Sequence, residues 1–85
     1  MDRYVVAYIH PFVMEQEISI YENNKLISNF KCTLDQMEEM IYSLCAEGDI
    51  HKVIFKGGQL YALNFNDHLT AHKFGNHKIN VEIYN

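Results

Sequence analysis

Lys52-Val-Ile-Phe-Lys56 runs directly into Gly57-Gly58, and the reading of this stretch decides the fold. A short β-branched and aromatic run followed by paired glycines predicts a strand that ends in a sharp turn. Two continuations are open for residues 59–73. In the preferred one a helix begins there, with Tyr61, Phe65 and Leu69 four apart, Ala62 alongside, Phe74 just beyond and Gly75 as the stop. In the other, Gly57-Gly58 is a hairpin turn and Tyr61, Leu63 and Phe65 alternate on a further strand, giving a more antiparallel α+β sheet. His68 to Lys73 fits no strand, which favours the helix.

Working outward, Ile79 to Tyr84 alternates apolar and polar residues and predicts a closing strand. Upstream, Thr33 with Gln36 three residues later forms a capping-box signature. Leu34, Met37, Met40, Ile41, Leu44 and Cys45 then recur at helical spacing as one apolar stripe, and Gly48 supplies a left-handed stop. Before that helix, residues 16–22 and 25–31 flank Asn23-Asn24. Asparagine tolerates the positive φ angles of a two-residue type I′ turn, so these runs predict a hairpin. The expected pairs are Glu22 with Lys25, Tyr21 with Leu26, and Ile20 with Ile27. Tyr4 to Ile9 is unbroken apolar and aromatic sequence, expected of a central strand buried on both faces by helices. Pro11, which cannot donate to a sheet ladder, marks its end.

The chain is therefore expected to be one α/β (α+β) domain over residues 1–85, with a mixed five-stranded sheet and element order β-β-β-α-β-α-β. Eighty-five residues with 48% apolar content support a single small core, for which dimerisation is a reasonable supplement. Net charge is −4, from 11 acids and 7 bases, and the bases are scattered singly. Nucleic-acid binders cluster Lys and Arg to displace counterions, so no nucleic-acid partner is expected. Residues 1–20 carry charges and a proline where a leader would need an apolar run, and no run reaches membrane-spanning length. Cys32 and Cys45 read as reduced thiols in or near the core. Together these predict a cytoplasmic protein with no membrane partner. Abundant Ile, Asn, Lys and Tyr suit an AT-rich bacterial or phage genome.

This element order resembles that of the ribonuclease-H-like fold, and Val53 to Gly58 looks like the strand-to-glycine turn of its actin-like members. The resemblance implies a common framework. It does not carry the family's chemistry here. The nucleases place an aspartate on the first strand for two-metal phosphodiester attack, whereas Tyr4 to Ile9 contains no acid. Glu15, Glu17 and Asp49 are the nearest acids by position. The actin-like phosphate loop would follow the first strand, where His10-Pro11-Phe12 stands.

Weak sites remain. His68 and His72 would share a helix face and, with His77, His10 or Cys32, could ligate zinc, but HxxxH alone is not a zinc signature. Gly57-Gly58 at a helix start could meet an anion, yet the Lys and Ser or Thr of a phosphate loop are missing. Asp35, Glu38 and Glu39 read as the solvated face of the first helix. Phe12-Val13-Met14 lies in a connection, between a proline and acidic residues, and is the best candidate contact surface. Leu26, Ile27 and Phe30 on the hairpin strand are the second, as part of an open sheet edge.

The expected function is a small non-catalytic protein-interaction module, in a phage or mobile-element setting, with a protein partner or a second copy and no cofactor. The alternatives are a metal-binding regulator or enzyme using His68 and His72, and an actin-like nucleotide-binding fragment.

Overall fold

A computed structural model describes residues 2–71 and 79–84; side chains of residues 70 and 71 are not described. Five strands and two helices follow in the order β1 (Arg3–Tyr8), β2 (Gln16–Glu22), β3 (Lys25–Cys32), α1 (Leu34–Ala46), β4 (Ile50–Lys56), α2 (Gln59–Ala71) and β5 (Asn80–Tyr84). They build a small, compact α+β domain on one mixed sheet ordered β3-β2-β1-β4-β5. β1 runs antiparallel to β2 and parallel to β4, and β5 is parallel to β4.

Local chemistry explains each element. Asn23 and Asn24 take φ of 52° and 65°, the type I′ geometry that closes β2 on β3. Thr33 caps α1, its hydroxyl accepting from the Gln36 amide while the Gln36 side chain accepts from the Thr33 amide. Gly48, at φ 86°, ends the helix. Residues 59–71 are helical, so the hairpin alternative at Gly57-Gly58 is excluded. The proposed stop at Gly75, and Phe74, lie outside the described residues.

Three expectations are corrected. First, Ile20 pairs with Ser28 rather than Ile27, because a bulge inserts one extra residue into β3. An unbulged register would set Asn29 opposite Ile18 and Lys31 opposite Gln16. The bulge reverses the parity and brings Phe30 and Cys32 to that face instead. Second, the buried line of α2 is Ala62, Phe65 and Leu69, while Tyr61 is half exposed. Similarly α1 buries Met37, Ile41 and Cys45, and Leu44 only flanks them.

Third, β1 is central, but among the described residues helices cover only one of its faces. Both crossovers, β3 to β4 and β4 to β5, move in the same direction across the sheet. Right-handed connections then deposit both helices on the same side. Tyr42 of α1 stacks on Phe65 of α2 with ring centroids 5.6 Å apart, and Phe65 meets Phe55 of β4 at 5.4 Å. The core under them joins Val5, Ala7, Ile9, Ile18, Val53 and Phe55. Residues of opposite parity, Tyr4, Val6, Tyr8 and Ile54, lie on the uncovered face.

Candidate functional site

The C-terminal ends of β1 and β4 lie side by side, with Tyr8 paired to Lys56. Beyond them the chain departs in two directions, into the β1–β2 loop and into α2. Ile9 continues the ladder by donating to the Lys56 carbonyl at 2.9 Å. The glycines at this rim are required by contact. A Cβ on Gly57, whose φ is 79°, would sit 2.6 Å from the Ile9 carbonyl oxygen, and one on Gly58 would enter the Ile9 side chain. The Gly57 amide donates to the Tyr84 carbonyl at 2.9 Å, so it is not free to bind an anion. Close backbone approach explains the dipeptide.

The β1–β2 loop has a different design. Gln16, at the start of β2, is 1% exposed. Its amide oxygen accepts from the His10 amide, and its amide nitrogen donates to the carbonyls of His10 at 3.1 Å and Val13 at 2.9 Å. The Val13 amide also donates to the His10 carbonyl at 3.1 Å. One buried side chain thus satisfies three backbone groups and fixes the loop's path. From that braced loop Phe12 projects 98% exposed and Met14 88%, with Val13 also exposed. At the start of α2, following the same rim, Leu60 is 82% exposed.

A cleft of about 150 Å³ opens between the helices above Ile9, lined by Leu34, Asp35, Met37, Glu38, Tyr61, Asn64, Phe65 and His68. Its polar wall is a contact between helices, since His68 Nδ1 lies 3.2 Å from Glu38 Oε1. Glu38 therefore faces α2, whereas Asp35 and Glu39 are exposed as expected.

Other sequence-derived candidates fall apart in space. His72 and His77 lie outside the described residues. His68 engages Glu38, His10 is exposed on the loop, and Cys32 is buried. Among the described residues no group of three or more His, Cys, Asp or Glu is arranged to hold a metal. Both cysteines are unpaired, and burial pushes the Cys45 thiol up to about 11. The carboxylates that a nuclease reading would need are separated. Glu17 opposes Tyr8 at one end of the sheet, Asp49 reaches Arg3 at the other at 3.6 Å, and Glu15 approaches Lys31 at 4.0 Å.

Leu26, Ile27 and Phe30 are all exposed on β3, which forms one sheet edge, with β5 forming the other. The bulge at Ile27 interrupts the flat ladder that an adding strand would need. The Asn29 amide turns onto the uncovered face, donating to Glu17 at 2.9 Å and Ser19 at 2.8 Å.

Sequence reasoning missed that face. Tyr4 lies flat against Tyr21, centroids 5.1 Å apart and planes 9° off parallel, and Lys52 Nζ sits 4.9 Å above the Tyr4 ring. Lys56 Nζ lies 5.8 Å from the Tyr8 centroid. Tyr84 donates to Glu82 at 2.6 Å, which holds that carboxyl below its ordinary range, and Lys52 adds to the effect from 3.6 Å. The signal was present as Tyr4, Tyr8 and Tyr21 at strand positions of one parity. No family model, curated protein or solved structure matches this chain. Among the described residues no helix is long and apolar enough to cross a membrane.

Proposed function

We propose that the domain is a non-catalytic protein-interaction module whose contact is the loop carrying Phe12, Val13 and Met14. The observation that carries this reading is the pairing of a fully buried Gln16 with Phe12 and Met14 held almost wholly in solvent. An apolar side chain in a loose loop normally collapses onto its own surface. A loop braced from within keeps such side chains outward and has less entropy to lose on binding. Leu60, on the neighbouring start of α2, extends the apolar rim. The separated carboxylates favour this reading over phosphodiester hydrolysis, and the Glu38–His68 contact favours it over a zinc site.

The framework on which the loop is mounted is, in this reading, ribonuclease-H-like, supported by the order of strands and helices along the chain. Two buried, unpaired thiols fit a cytoplasmic setting. The abundance of Ile, Asn, Lys and Tyr, which suits an AT-rich genome, fits a phage or mobile-element accessory protein.

Affinity capture from the native host, followed by mass spectrometry, tests the reading. Wild type should recover a stoichiometric protein partner, and Phe12→Asp should lose it while its unfolding free energy in urea stays within about 0.5 kcal/mol of wild type. Recovery of the same partner by a Phe12→Asp, Met14→Asp double variant would refute the loop as the contact.

A further inference from the structure

We propose that two copies of this chain associate through the uncovered face of the sheet, about a two-fold axis running along β1. This goes beyond the loop reading and holds whether or not the loop has a partner. Tyr4, Val6 and Tyr8 line the middle of that face, and Val6 is only 5% exposed although neither described helix lies above it. Glu17 on β2 and Lys56 on β4 flank Tyr8 on either side, in one cross-strand row. Among the described residues Glu17 meets no cation and Lys56 no carboxylate at ion-pair distance. Among the described residues the face thus carries, at mirrored positions about its central strand, an acid bonded to Asn29 and a base set over Tyr8, neither of them in an ion pair.

A second copy turned over about β1 lays its β2 across the first copy's β4, and the reverse. Glu17 of each copy then meets Lys56 of the other, twice by symmetry. Tyr21 comes over Lys52, Asn29 over Glu82, and Val6 over Val6. The alternative two-fold, perpendicular to the strands, sets Lys52 against Lys56 and Glu82 against Glu82. Like charges reject that arrangement, so charge selects one axis. The selected arrangement keeps the strands of the two sheets nearly aligned, the usual geometry of face-to-face sheets.

Tyrosines and lysines on a sheet also suit single-stranded nucleic acid, which stacks bases on free aromatic faces. Here Tyr4 is already sandwiched between Tyr21 and the Lys52 ammonium, which leaves neither face of its ring for a base. Five strands about 4.8 Å apart, with three layers of side chains along them, present roughly 24 by 20 Å. The two copies together then bury on the order of 1,000 Å², the low end of specific interfaces, so the dimer should be a micromolar one.

Sedimentation equilibrium on the whole chain between roughly 5 and 500 µM, spanning that affinity, tests this. Wild type should pass from monomer to dimer. Glu17→Lys and Lys56→Glu should each weaken self-association about ten-fold, because each sets two like charges in contact. Mixed in equal amounts, the two variants should pair with each other within about three-fold of the wild-type affinity, since both contacts become attractive again. Circular dichroism should show both variants folded, both positions being outside the core. A strictly monomeric wild type would overturn the proposal. So would a dimer indifferent to both substitutions, a mixture that fails to pair, or a dimer abolished by Phe12→Asp alone. Binding of a dT15 oligonucleotide at micromolar concentration, lost in Tyr4→Ala, would also overturn it by assigning the face to nucleic acid.

Discussion

The two faces of the sheet are made by the same five strands, yet they are finished in opposite ways. On one face Val5, Ala7, Ile18, Val53 and Phe55 disappear beneath α1 and α2. On the other, Tyr4, Tyr8 and Tyr21 stand half buried, stacked on one another or topped by lysine. The first face is closed by the chain's own helices. Among the described residues the second is closed only by large side chains leaning on their neighbours, with charges at its margin. The lesson is that near-complete burial of a strand residue such as Val6 does not require a second layer. Bulky cross-strand neighbours shield it while leaving an outer surface fit for contact.

Substitutions on the two faces should differ in scale, and this is where the comparison can be broken. Phe55→Ala empties a fully buried site against Phe65 and should cost about 3–5 kcal/mol in a urea titration. A cost below about 1 kcal/mol would mean that the helix layer is not seated as described. Gln16→Ala comes next. It takes the Gln16 partner from the His10 amide and the Val13 carbonyl, leaves the His10 carbonyl with the Val13 amide alone, and should cost about 1–3 kcal/mol. Limited proteolysis should then cut within residues 10–15, and an uncut loop would show that something other than Gln16 holds it. Tyr4→Ala, on the uncovered face, removes a stacked pair and should cost only about 1 kcal/mol beyond its lost apolar contact. Equal losses for Tyr4→Ala and Phe55→Ala would erase the distinction between the faces.

Much of the helix-covered face was legible in the sequence, and little of the other. The hairpin turn was readable because two asparagines at positive φ leave few alternatives. The start and stop of α1 were readable because Thr33, Gln36 and Gly48 each act locally. The bulge at Ile27 was not, since isoleucine and serine fit a strand in either register. Only the need to turn Phe30 and Cys32 toward the helices settles the parity. The uncovered face was misread for a related reason. An apolar run such as Tyr4 to Ile9 reports burial without saying what provides it, and the direction of the two crossovers is a property of the whole chain. Tyr61 was misplaced because tyrosine fits a buried helical stripe and its exposed edge equally well. Of the candidate contact residues, Phe12, Val13 and Met14 stood out because a connection contained apolar residues with no periodicity to absorb them. Gln16, which gives that loop its shape, carried no signal of its own.

The position of β1 has a consequence for how the chain is made. Of the five strands described it is the first to leave the ribosome, yet it finishes at the middle of the sheet, with Tyr8 paired to Lys56 of β4. One of its edges is satisfied early by the β2–β3 hairpin. The other waits for everything through α1, which at about 5–20 residues per second means roughly 2–10 s. During that interval a β-branched, aromatic edge is open to any extended segment nearby. Nascent chains arrested before β4 emerges should accordingly be protease-sensitive and prone to bind chaperones, and chains arrested beyond it should not. The same strand that organises the finished domain is its exposed point during synthesis.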